Sequence, residues 1–232
     1  MKKSMPWIRC AGFLVGLAVI LGICDFCFAP SGYVRFILHE VNRKDTQYDT
    51  IILGASHARS AINPEYLDEE LGTNTLNLAI PGETVKDAYY LLKDACESND
   101  VKTVIMDVDY QYWMDEQPQG YFTEPFICQN ITNLKVKTEY LLDNWDTIDL
   151  RNVLVRRLSW DCTWSSVKQN VSTKMTEAYR EYSIEAAGVD GKVEGADGPY
   201  IGKGFFYRDT FGGKPGGADY ICGSAVITPV ST

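Results

Sequence analysis

The chain has 232 residues, 45% of them hydrophobic and 23% charged, which is enough apolar material to close a core and excludes disordered, collagen-like and low-complexity classes. Its 22 Lys and Arg face 31 Asp and Glu, a formal charge of −9, which is the wrong sign for gripping a nucleic-acid backbone. The charge is unevenly placed: Lys2, Lys3 and Arg9 against Asp25 make residues 1–29 net +2 and leave −11 for the remainder.

From Cys10 to Cys24 no side chain is charged, and the apolar stretch extends over residues 7–29. Roughly 20 helical residues cross a bilayer core, so this segment predicts a single-pass anchor in the cell membrane. The basic leader, residues 1–6, stays cytoplasmic and the main domain is extracytoplasmic. A cleavable signal peptide is the competing reading, but Ala29 is followed by Pro30, a poor place to cut, and Leu21-Gly22-Ile23 lacks the small residue expected before a lipidated cysteine. Of the seven cysteines, Cys10, Cys24 and Cys27 lie in or at this segment. Cys96, Cys128, Cys162 and Cys222 lie beyond it, where an oxidising exterior permits disulfides whose pairing the sequence leaves open. Outside the anchor no Cys-x-x-Cys with partner histidines occurs, so no metal is expected.

Residues 30–47 read as a polar juxtamembrane connector. An α/β domain follows over 48–210, interrupted by a helical insertion at about 114–186, with 211–232 as an irregular tail. Within it, Asp49 to Leu53 predicts a buried parallel strand ending at Gly54. Asn63-Pro64 opens a helix that stops at Gly72. Thr75 to Leu78 predicts a second strand, and Glu83 to Glu97 a helix with Val85, Ala88, Tyr89, Leu92 and Cys96 on its apolar face. Val101 to Met106 predicts a third strand, leading to Asp107-Val108-Asp109. Strand, helix, strand, helix, strand implies a parallel sheet. Beyond Trp113 the rhythm fades; 121–138 gives no assignment, Leu150 to Tyr182 fits one long helix or two broken ones, and 187–219 is rich in Gly and Asp.

The candidate chemistry gathers at the strand ends. Ser56, in Gly54-Ala55-Ser56-His57, falls at the carboxyl edge of the sheet, where open α/β folds place their sites, and the small residues before it suit a turn that exposes its hydroxyl. Asn77 to Gly82 leads into a helix, so the Gly82 amide, with that of Ser56, is placed to stabilise an oxyanion. Asp107 and Asp109 follow the third strand, and Tyr110, Tyr112 and Trp113 could stack on sugars. There is no Walker lysine and no Gly-x-Gly-x-x-Gly turn for a nucleotide.

On these residues the chain resembles the SGNH (GDSL-like) hydrolase superfamily, and within it the membrane-anchored bacterial branch of teichoic-acid D-alanylation and polysaccharide O-acetylation. Gly54-Ala55-Ser56-His57 is similar to that branch's first block, and Gly82 to its second-block glycine; the likeness covers about residues 48–113. The resemblance implies a flavodoxin-like three-layer α/β/α fold. It implies ester hydrolysis or O-acyl transfer through an acyl-serine at Ser56 without a cofactor, on cell-envelope glycan or related acyl esters, with a membrane acyltransferase as partner. His57, Asn77, Asp107 and Asp109 then become substrate contacts or supports of the site. Two departures stand out. Asp107-Val108-Asp109 occupies the place of an oxyanion asparagine, and neither histidine of the chain, His39 or His57, lies in the Asp-x-x-His that supplies the family's general base. The expectation is a chain ending before that segment, with weak or absent turnover. The alternative is a non-catalytic membrane-tethered scaffold of an envelope-modification system.

Overall fold

The computed structural model describes residues 6–29, 32–108, 123–146, 163–183 and 200–207. It is a mixed α/β structure around a small parallel sheet of β1 (Thr50–Leu53), β2 (Thr75–Asn77) and β3 (Thr103–Met106), in the order β2-β1-β3. Ile51 is in register with Leu76 on one side and Val104 on the other.

Before the sheet comes α1, Pro6–Phe28, of which Trp7–Phe28 is long and apolar enough to cross a membrane, with none of its most apolar window buried in the protein. The expected connector is different: 30–47 contains a helix, α2 (Tyr33–Val41), whose Ile37, Leu38 and Val41 are fully buried in the main core. These three apolar residues form one helical stripe, but Arg35, His39 and Glu40 between them dilute the pattern.

Side chains alternate across β1, and each face has its own cover. Ile51 and Leu53 enter the main core with α2 and with α5 (Val85–Ser98), α6 (Thr123–Asn130) and α7 (Leu134–Asp143). Ile52 faces the other way, onto Ala58 of α3 (Ser56–Ala61) and Leu67 of α4 (Pro64–Leu71). Helix α4 follows its caps: the Asn63 side chain accepts the Glu65 amide, Pro64 holds the first turn, and Gly72 ends it at φ 66°.

Helix α5 begins at a capping box between Thr84 and Asp87, and its buried face shares Ala88 and the partly buried Leu92 with the expected one but is otherwise turned away from it. Asp87, Ala88, Tyr90, Leu91, Asp94 and Ala95 point inward, while Val85 and Tyr89 are 47% and 55% exposed and Cys96 lies at the surface. The rotation is stabilised by partners for the two buried acids. Asp87 accepts from the Tyr140 hydroxyl at 2.7 Å and from Thr84, and Asp94 from Asn42 at 2.8 Å and the Asn133 amide at 3.0 Å. Hydrophobic periodicity assigns aspartates to the solvent face, so it displaces the buried stripe around the helix while keeping Ala88 and Leu92 on it.

The insertion supplies α6 and α7, then α8 (Val167–Lys174) and α9 (Glu177–Arg180), so the 163–182 stretch is broken rather than continuous. The Gly- and Asp-rich region contains a hairpin, β4 (Tyr200–Gly202) and β5 (Phe205–Phe206), with Phe205 and Phe206 buried. It leans on β2: the Asn77 amide donates to the Lys203 carbonyl at 2.8 Å, and the Lys203 ammonium pairs with Asp68 of α4. Gly204 lies so close that a Cβ there would sit 1.8 Å from the Asn77 carbonyl oxygen.

Candidate functional site

At the end of β1 the backbone makes a turn that only glycine allows. Gly54 has φ +144°, and a Cβ on it would come within 2.7 Å of the Ala58 Cβ and 2.8 Å of the Asp107 Cβ. The crowding draws β1, β3 and α3 together; the Asp107 amide closes it by donating to the Leu53 carbonyl at 2.9 Å. Helix α3 begins one residue beyond Ala55, so Ser56 is its first residue, half-buried, with no side chain capping the helix start. The expected bare turn is therefore a short helix. Among the described residues the Ser56 hydroxyl has no hydrogen-bond partner.

The second strand end is tied to this turn by a residue that the sequence analysis does not single out. Glu83, 3% exposed, accepts the Gly54 amide on Oε1 at 2.9 Å and the Ile80 amide on Oε2 at 2.9 Å. It thereby staples the turn that carries Ser56 to the loop that carries Gly82. Burial pushes its carboxyl well above the usual carboxylate range, and the two amides pull it back only in part. The readable signal is positional: Glu83 immediately precedes the N-cap Thr84, where an apolar residue commonly packs back on the helix. An acid there implies amides to receive it.

Gly82, beside Glu83, takes φ +77° in the loop, and among the described residues its amide has no acceptor. Asn77 is fully buried and both N–H bonds of its side-chain amide are used. It donates to the Ala58 and Ile62 carbonyls at 2.9 and 3.0 Å and accepts from the Ala79 amide at 3.2 Å. Asn77 therefore holds the end of α3 from inside the protein, where it supports the neighbouring turn. Asp107 is half-buried next to Gly54, and His57 is exposed on α3. Asp109, Tyr110, Tyr112 and Trp113 lie outside the described residues, as do Cys162 and Cys222.

Arg59, one turn after Ser56, is 7% exposed, with its guanidinium 4.5 Å from the Phe206 ring centre and 5.8 Å from that of Tyr33. The hairpin thus packs against α3 through Arg59 and Phe206. His39 is engaged elsewhere, stacked on Tyr182 at 3.7 Å, and burial lowers its affinity for a proton. The strand ends thus carry a half-buried hydroxyl at the start of α3, the Gly82 amide on the loop that Glu83 ties to Gly54, and the Asp107 carboxyl beside Gly54. No family model, no curated protein and no solved structure matches the chain.

Proposed function

We propose that the protein is a membrane-anchored, extracytoplasmic serine esterase or O-acyltransferase of SGNH type, with Ser56 as nucleophile. The observation that carries the reading is the staple through Glu83. It holds the backbone two residues before an unpartnered serine hydroxyl against the loop of Gly82. The strand order β2-β1-β3, with helices on both sheet faces, supports a flavodoxin-like sheet continuing beyond β3. The apolar α1 supports a tether, and the basic leader orients it with the amino terminus in the cytoplasm. An anchored site facing the envelope suits acyl esters of envelope glycan, handed on by or to a membrane acyltransferase.

In the reaction, Ser56 Oγ attacks the acyl carbonyl while the Ser56 and Gly82 amides take the developing oxyanion. The ester C–O bond breaks, the alcohol leaves with a proton, and water or an acceptor hydroxyl then releases the acyl group from the serine. Asp107 beside the turn disfavours an anion, so it serves substrate positioning rather than oxyanion binding. Among the described residues no group accepts a hydrogen bond from the Ser56 hydroxyl, so its proton has no acceptor in place. Turnover is accordingly slow. The test is release of nitrophenol from 4-nitrophenyl acetate by the full chain in detergent. A slow rate above that of Ser56→Ala is expected; a rate equal to that of the variant contradicts the nucleophile, and brisk turnover contradicts the weak-base account.

A further inference from the structure

The insertion helix α8 meets the carboxyl-terminal end of α1. The Asn170 amide donates to the Cys27 and Ala29 carbonyls at 2.8 and 3.0 Å, and the Lys174 ammonium donates to the Phe26 carbonyl at 2.7 Å and to the Ala29 carbonyl. A helix leaves its last carbonyls without partners, and a cation at that end also opposes the dipole. Asn170 and Lys174 therefore complete α1. Trp164, just before α8, meets Phe28 edge-to-face with ring centres 4.8 Å apart. Contacts from positions 164, 170 and 174 all fall on residues 26–29, so α8 crosses the end of α1 rather than running along it.

The same segment continues to the body of the protein. The Arg35 guanidinium on α2 lies 3.9 and 3.7 Å from the Tyr179 and Tyr182 ring centres and donates to the Tyr179 carbonyl at 3.0 Å. Residues 163–182 thus bracket the junction between α1 and α2. The outer surface of the bracket is unusual for a protein exterior: Trp164 is 84% exposed and Met175 is 70% exposed, and Lys168 is exposed between them.

We propose that the 163–175 segment lies in the headgroup region of the bilayer as a second membrane contact. Trp164 and Met175 enter the interface, and the domain is held against the lipid surface rather than swinging on a tether. The argument is one of continuity. This inference rests on the reading that α1 spans a membrane; a helix that leaves the hydrocarbon at Phe28 brings the Trp164 ring, edge-to-face with Phe28, to headgroup depth. Tryptophan is the residue that favours that depth, and a lysine beside it suits anionic lipid.

The test uses the full chain reconstituted in phosphatidylcholine–phosphatidylglycerol vesicles with lipids brominated near the headgroup, which quench nearby tryptophan emission. The quenchable emission of the chain is compared with that of Trp164→Phe, Trp7→Phe and Trp145→Phe. Trp7 reports the start of α1, and Trp145, 68% exposed after α7, reports the body. The expected result is loss of quenchable emission in Trp164→Phe and Trp7→Phe but not in Trp145→Phe. Loss in Trp7→Phe alone leaves the span standing and overturns the bracket's membrane contact. Loss in neither overturns both, and an equal loss in Trp145→Phe overturns the docked orientation.

Discussion

The carboxylate of Glu83 accepts the backbone amide of Gly54 at 2.9 Å, across 29 positions of chain. Its other oxygen accepts the Ile80 amide, so one side chain fixes the relative position of two strand-end loops. Replacement of Glu83 by Gln keeps one acceptor and turns an NH2 toward the other amide. A buried donor left without an acceptor costs roughly 1–3 kcal/mol, so Glu83→Gln is expected to lose about that much in denaturant unfolding. Glu83→Ala, which leaves both amides bare, should lose more.

The staple also makes stability depend on pH. Glu83 has a folded-state pKa raised above its ordinary value of 4.5 by burial, so its contribution is fully present below 4.5 and is lost as pH rises through the folded value. Burial raises Asp87 and Asp94 above 3.8, and they act in the same direction. The destabilisation caused by Glu83→Gln is therefore expected to be largest in acid and to shrink as pH rises. Melting curves of both proteins from about pH 4 upward check this; a penalty that grows with pH contradicts it.

Gly54 should tolerate no side chain. Its φ of +144° and the 2.7 and 2.8 Å approaches to the Cβ atoms of Ala58 and Asp107 combine backbone strain with overcrowding. Each of these effects is worth about 1–3 kcal/mol. Gly54→Ala is expected to lower the melting temperature sharply, whereas Gly72→Ala, with open space around its Cβ, should suffer from backbone strain alone.

Asn77 is expected to act on the site through α3. Asn77→Ala leaves the Ala58 and Ile62 carbonyls and the Ala79 amide without their side-chain partner. The variant should lose protection of α3 amides in hydrogen exchange before the sheet does. Uniform loss across α3 and the sheet would place Asn77 in general core packing instead.

Local signals with a chemical cause were readable in the sequence: the strand that ends at Gly54, and the helix between Asn63 and Gly72. Patterns written in polar residues were not. Asp87 and Asp94 face inward because Tyr140, Asn42 and Asn133, distant in sequence, satisfy them, and no local window contains those partners. Helix α2 was hidden by charged residues between its three buried ones, and α3 is too short for periodicity. The positions of Ser56 and Gly82 just beyond strand ends were readable from the pattern of strands and turns. Glu83, which joins their loops, was not, because its role exists only once the two ends meet. The hairpin at 200–206 was obscured by the glycines that let Lys203 and Gly204 pack against Asn77.

Whether Ser56 forms a covalent acyl intermediate is settled most directly by peptide mass mapping after brief exposure of the full chain to an activated acetyl ester. One acetyl group on Ser56 is expected, formed faster than on any lysine. A Ser56 that stays unmodified while surface lysines are acetylated would contradict the acyl-serine account.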